Sequence, residues 1–319
     1  MKRPLFLPLI AVVGGLLLAG CGKDSGTPPT APGSPGSDSQ TFQQLMAQDP
    51  SLADNDTYET PGDSQAPDSW TASGGLSPEA AIQPVFFFRR ITDRSRDIHI
   101  DYDRDSLKVV ANVLVTDRLA GSFNIVTADT VDTGIVRTVI HKPLQDVGRL
   151  RARFVRWLRT PDSGDDDWAS MEGDKDWSRW HLVAVSNREI ASPEHTTKIL
   201  SVRLQTAGGV DVTVDDPLAL MRIPGEIPKF PAGEPVQVTV TTADPTDALF
   251  LLAGWGRTRL HKNPDGSWGG SFRAPFDVRR FRLGINALDH GTLFDDAAPY
   301  DSDFWGLLAR TVVPTVASN

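Results

Sequence analysis

The chain has 319 residues, 32 of them basic and 41 acidic, for a net charge of −9, and it holds a single cysteine. This length accommodates two domains. The acidic balance excludes nucleic acid and argues against anionic lipid headgroups as the main partner, and one cysteine excludes a disulfide framework, so compact parts must fold by burial alone.

At the N-terminus, Lys2 and Arg3 precede an uncharged run from Leu5 to Leu18, then the small pair Ala19-Gly20, then Cys21. The order basic, apolar, small is that of a secretory signal. A spanning helix needs about 20 apolar residues, and this run is shorter and is interrupted by Pro8 and Gly14-Gly15. Leu18-Ala19-Gly20-Cys21 resembles the lipobox of bacterial lipoproteins. The resemblance implies cleavage before Cys21, a covalent lipid on its thiol as the only attached group, and a membrane partner reached through that anchor. Gly22, rather than Asp, after the cysteine implies the outer membrane of a Gram-negative envelope. Residues 1–20 form the signal; their loss removes Lys2 and Arg3 and no acid, which leaves 30 basic against 41 acidic residues, a charge of −11.

Residues 21–75 read as a lipidated cysteine followed by a flexible stalk. Gly, Pro, Ser and Thr dominate Gly22 to Gln40, and such a stretch buries too little apolar surface to offset its ordering entropy. Thr41–Gln48 (TFQQLMAQ) has the pattern of two helical turns before Asp49-Pro50.

Residues 76–216 read as an α+β domain. Ser77-Pro78-Glu79 predicts a helix start, with the helix running toward Ile91 and bent at Pro84. The period then changes to two. Leu107, Val109, Ala111, Val113 and Val115 alternate, and Leu119, Gly121, Phe123 and Ile125 continue in phase. Asp117 alone interrupts this apolar face. The pattern predicts one long strand, or two broken near Asp117, with a bend at Gly121. IVRTVIHK and RLRARFVRWLR predict further strands on either side of an irregularity at Pro143–Gly148, and RWHLVAVSN and TKILSVRLQ predict two more. A helix followed by long, curved antiparallel strands resembles the NTF2-like fold, which implies a cone with an internal cavity.

Residues 217–315 read as an all-β sandwich, so the chain is mostly β overall. IPKFPAGEPVQVTVTT, DALFLLAG, GRTRLHK, SWGGSFRA, RRFRLGINALD and FWGLLARTVV are short strands divided by turn signals. Asn263-Pro264-Asp265-Gly266 predicts a hairpin turn. The spacing is similar to that of bacterial immunoglobulin-like domains.

Motifs for a nucleophile elbow, a helix-borne zinc pair, a phosphate loop or a dinucleotide fingerprint are absent from the sequence. Three clusters could carry chemistry. In RDIHIDYDRDS, Asp97, His99 and Asp101 alternate with apolar residues, so they share one face of a strand. Flanking carboxylates would raise the imidazole pKa and suit it to general-base work or metal binding; the competing reading is a solvated face. In DSGDDDWASMEGDKDW, Asp165, Asp166 and Asp167 are candidate calcium ligands within a run whose like charges favour a solvated loop. The series Arg149, Arg151, Arg153, Arg156 and Arg159 could grip an anion, or pair with acids across strands.

The leading expectation is a non-enzymatic, membrane-anchored envelope lipoprotein that binds, adheres or scaffolds, with another envelope protein or a glycan as its partner. The rival is a small-ligand binder or enzyme that uses an NTF2-like cavity with Asp97, His99 and Asp101. A third reading is calcium-dependent binding through the acidic loops, including Asp289 to Asp303.

Overall fold

The computed structural model describes residues 35–48, 58, 82, 84–131, 134–158, 179–193, 196–254 and 256–314. Helix α1 spans Pro35–Gln48. The strands are β1 (Pro84–Arg104), β2 (Lys108–Val131), β3 (Gly134–Trp157), β4 (His181–Ala191), β5 (Ile199–Thr206), β6 (Asp211–Val214), β7 (Met221–Arg222), β8 (Lys229–Pro231), β9 (Pro235–Thr242), β10 (Ala248–Ala253), β11 (Gly256–Arg259), β12 (His261–Lys262), β13 (Trp268–Arg273), β14 (Arg280–Leu288) and β15 (Ser302–Val312). A short helix, α2 (His290–Phe294), links β14 to β15. The described chain is mostly antiparallel β-sheet.

The alternation in the sequence becomes geometry first in β2. It is one unbroken strand, paired with β3 from Lys108 opposite Trp157 to Val131 opposite Gly134. Val109, Ala111, Val113, Val115, Leu119, Phe123 and Ile125 are buried along it, and Asp117 is buried with them. β3 is equally continuous, so the irregularity expected at Pro143–Gly148 does not occur. Its inward stripe runs through Leu144, Asp146, Gly148, Leu150, Ala152 and Phe154. Pro143 is tolerated because β4 begins to pair with β3 only at Val147. Here β3 has one paired side, and a residue without an N–H costs least beside an open edge.

The helix expected to reach Ile91 is a strand from Pro84 onward. Pro84 is the first residue of β1, where no ladder bond is lost, and Val85-Phe86-Phe87-Phe88 has strong β-propensity. The expected helix start at Ser77 lies outside the described residues. β1 slips register between Ile91 and Asp93, opposite Gly121 and Ala120. A Cβ on Gly121 would lie 2.0 Å from the Arg90 carbonyl oxygen, so only glycine admits this close approach.

A ten-stranded sheet follows the order β1-β2-β3-β4-β15-β14-β10-β11, with β7 on β4 and β8 on β15. A second sheet follows the order β12-β13-β9-β5-β6. Val202, Leu204, Val236, Val238 and Val240 of the second sheet share one core with Leu249, Leu283, Ile285, Trp305 and Leu307 of the first. Strands from before and after residue 216 therefore share both sheets: β4 pairs with β15, and β5 with β9. The division expected at 216/217 falls inside this arrangement.

The large sheet also curls upon itself. Phe87 of β1 packs against Phe250 of β10, ring centroids 5.0 Å apart. The Arg257 guanidinium of β11 donates to the Phe87 carbonyl at 2.8 Å. Sheet strands far apart in pairing order thus enclose a core that includes Phe123, Leu144, Phe250, Leu252, Leu293 and Phe304.

Of the residues expected to form a stalk, α1 covers the predicted Thr41–Gln48 turns, begins six residues earlier, and packs on the body. Phe42 and Met46 join Val113, Phe154, Trp180, Ile227 and Leu308 in a third core. Tyr58 is likewise buried, at 2 % exposure. Burying a side chain such as Phe42 contributes about 1.5–3 kcal/mol, enough to hold a short helix that would not persist alone.

Candidate functional site

The inward stripes of β1 and β3 carry charges into the enclosed core. Phe87 and Arg89 alternate inward from β1, and Asp146 does so from β3. Asn286 comes from β14, Ser302 from the first position of β15 and Tyr300 from two residues before it, Ser192 from just past β4, and Tyr58 from the segment after α1. All are less than one-tenth exposed.

These side chains form one hydrogen-bonded network. Arg89 donates through Nε to the Tyr300 hydroxyl at 3.0 Å and through Nη2 to Asn286 Oδ1 at 2.9 Å. The Tyr300 hydroxyl lies 2.8 Å from Asp146 Oδ2, to which Tyr58 also donates. Ser192 Oγ donates to Asp146 Oδ1 at 3.2 Å, and Ser302 Oγ sits 2.6 Å from the Tyr300 hydroxyl. The Arg89 guanidinium also lies 4.4 Å from the centroid of the Tyr58 ring, a cation–π contact. The Tyr300 hydroxyl thus bridges Arg89 and Asp146.

Burial dominates the electrostatics. It raises the Asp146 pKa, against the opposing pull of Arg89 and the hydroxyl donors. It pushes Tyr58 well above its ordinary value, reinforced by Asp146. Burial would also strip the proton from Arg89, but Tyr300, Tyr58 and Asp146 outweigh it and hold the guanidinium charged. The hydroxyls consequently stay protonated at neutral pH, as donors to Asp146.

Two further polar clusters flank this network. Asp117, the interruption in the apolar face, is gripped by Arg96 through Nε at 2.6 Å and Nη2 at 3.1 Å, and by Arg188. On the opposite side Lys142 Nζ donates to the carbonyls of Gly291 and Asp295 at 3.0 and 2.6 Å, and so caps the end of α2. A separate acidic group gathers where β4 leads into β5. Thr197 Oγ1 donates to Asp247 Oδ1 at 3.4 Å, Thr196 N and Oγ1 donate to Asp301 Oδ2 at 2.8 Å each, and Ile199 N donates to Asp303 Oδ2 at 2.8 Å.

The residues singled out in the sequence lie elsewhere. Asp97, His99 and Asp101 are on the solvent side of β1, the end strand of the large sheet. His99 Nε2 and Asp101 Oδ1 are 3.2 Å apart, but the two side chains are 66 % and 73 % exposed. Arg149 pairs with its cross-strand partner Glu189 at 3.6 Å, and Arg153 Nε donates to its partner Asn112 at 2.9 Å. Cys21, Asp165, Asp166, Asp167 and Arg159 lie outside the described residues. Among the described residues, no three His, Cys, Asp or Glu side chains are placed to hold a metal ion.

Sequence reading missed the Tyr58–Arg89–Asp146–Tyr300 network because its members are far apart in the chain. One signal was present: Arg89 and Asp146 both fall on inward phases of their strands. No known protein family, curated protein or solved structure matches this chain.

Proposed function

We propose that this chain is a lipid-anchored protein of the bacterial cell envelope, held at the outer membrane through Cys21, with a body that binds or scaffolds. The observation that carries the reading is the position of the only cysteine, directly after an uncharged run and the pair Ala19-Gly20. Two features of the body support it. Polar networks tie strands together in its interior, Arg89 to Tyr300 and Asn286, and Asp117 to Arg188, which suits a rigid module. The segment after the cysteine is also stitched to the body by Phe42 and Tyr58. Only Gly22 to Ser34 separates Cys21 from α1, and even a fully extended chain of that length spans at most about 45 Å. The anchor would keep the body close to the bilayer.

The immunoglobulin-like reading of the two packed sheets is part of this proposal. Its support is strand order: β9, β13 and β12 adjoin in one sheet, β15, β14, β10 and β11 in the other, and β8 runs parallel to β15. This order supports a B-E-D against G-F-C reading of the two sheets, with β5 added to the first. Modules of this kind commonly bind envelope proteins or glycans, and such a partner belongs to the proposal. The NTF2-like likeness is supported only by the curved sheet carrying α1 on one face. The catalytic alternative needs Asp97, His99 and Asp101 enclosed, and they are exposed.

Metabolic labelling with palmitate, together with mass spectrometry of the mature N-terminus, tests the anchor. The expected result is a chain beginning at acylated Cys21, with label and membrane fractionation both lost in Cys21→Ser. An unmodified thiol, or a mature start elsewhere, overturns the reading.

A further inference from the structure

The chain is acidic as a whole, but one end of the body is not. In the pairing of β8, β15 and β14, Lys229 lies opposite Arg310, and Arg310 opposite Arg280. Three cations thus stand side by side across three adjacent strands, on one face of the sheet. Like charges directly opposite each other destabilise a sheet, and neither Lys229 nor Arg310 has an acidic partner among the described residues. Arg279 follows at the same end, 3.3 Å from Asp277, and Arg273 donates to the Gly233 carbonyl at 2.6 Å. The acids nearby are Asp277, held by Arg279, and Glu234, which accepts from the Gly208 amide at 2.9 Å.

Beside this row of cations the sheet ends in bare apolar side chains. Phe276 is 80 % exposed, Val313 71 % and Val278 54 %, the three most exposed large apolar residues described. They are neighbours. Thr311, two residues before Val313, bonds through its hydroxyl to the Asp277 carbonyl and receives the Arg279 amide at 2.8 Å. Phe276 lies over Gly233, where an added Cβ would come within 2.9 Å of the ring. An exposed phenylalanine and two valines bordered by arginine and lysine match a bilayer surface in both respects. The apolar tips enter the acyl boundary while the cations meet anionic headgroups. A soluble acidic protein would satisfy the cations but leave the tip without an apolar recipient.

We propose that this end of the body, with Phe276, Val278 and Val313 at the tip and Lys229 and Arg310 beside it, docks onto an anionic phospholipid bilayer. The contact is separate from the anchor and does not depend on lipidation of Cys21.

Because Cys21 is the only cysteine, a full-length chain carrying Cys21→Ser and Phe276→Cys offers one thiol, at the tip, for an environment-sensitive fluorophore. No acyl chain can then contribute, so failure here is distinguishable from failure of the anchor. Vesicles containing about one-third phosphatidylglycerol should shift the emission to the blue. Pure phosphatidylcholine vesicles should not, and salt at about 0.5 M should reverse the shift. Adding Lys229→Gln and Arg310→Gln should raise the lipid needed for half the response at least tenfold, roughly the effect of two surface cations. A fluorophore at Leu200→Cys, on the other sheet, should stay silent. The proposal is overturned by a silent tip probe, by equal responses to the two vesicle types, by a salt-insensitive shift, or by an equal shift at Leu200. A tip probe that answers only to an acidic polypeptide such as polyglutamate overturns it in favour of a protein partner.

Discussion

Tyr58 and Tyr300 meet on a single atom, Asp146 Oδ2. One hydroxyl comes from the segment that follows α1 and the other from just before β15, so this carboxylate ties the N-terminal segment into the fold. Tyr58→Phe keeps the ring and removes one donor. It is expected to lower stability by about 1–2 kcal/mol. Tyr58→Ala also removes the ring from the core and should cost about 3–5 kcal/mol. Urea unfolding of the two variants separates the terms; a Tyr58→Phe variant as stable as the parent would show that the hydroxyl contributes nothing.

Arg89 and Asp146 are expected to be strongly coupled. Arg89→Met leaves a buried carboxylate without its cation and should cost about 3–5 kcal/mol. Combined with Asp146→Asn, the second change should cost much less than it does alone, with an interaction energy of about 1–3 kcal/mol in a double-mutant cycle. Additive losses would mean that the two charges do not sense each other through the bridging hydroxyls.

Asp247 and Asp303 should make stability fall as pH rises. Burial, then Asp244 and Asp289, lifts the Asp247 carboxyl to about 7. Burial, opposed by the Ile199 amide and reinforced by Glu189, lifts Asp303 to about 8. In the unfolded chain both ionise near 3.8. Between those values the folded state binds more protons than the unfolded state, so their contribution to stability declines from about pH 4 to about pH 8. Asp247→Asn keeps an acceptor for Thr197 and removes the titration. Its unfolding free energy should fall less steeply over this interval than that of the parent protein; identical slopes would refute the assignment.

Gly121 should tolerate no side chain. Gly121→Ala places a methyl group against the Arg90 carbonyl, and relief requires β1 and β2 to part at the bulge. The expected loss is about 2–4 kcal/mol, read by thermal melting. Gly209→Ala is a useful contrast: its positive φ of 91° brings backbone strain only, since a Cβ there meets nothing within 4 Å, and the loss should be smaller.

Several features were legible in the sequence because their cause is local. Alternation along Val109–Ile125 dictated a long strand with one buried face, since successive side chains in a strand point to opposite sides. Turn residues at Asn263–Gly266 dictated a hairpin; Gly121, expected as a bend, instead sits opposite the bulge of β1. The only cysteine, after an uncharged run, dictated the expectation of an anchor. Pro84 shows where local signals run out. A proline followed by aromatics is compatible with a bent helix or with the first residue of a strand, and pairing with β2 decided for the strand. Asp117 stood out in the sequence as an interruption, but its reason, Arg96 and Arg188 on either side, exists only after four strands, β1 to β4, are in register. The same holds for Tyr58, Arg89, Asp146 and Tyr300, and for Lys229, Arg310 and Arg280. Each group is assembled by contacts between elements far apart in the chain. Strand period is encoded residue by residue, whereas the neighbour a strand selects, and the charges it thereby brings together, depend on burial summed over the whole fold.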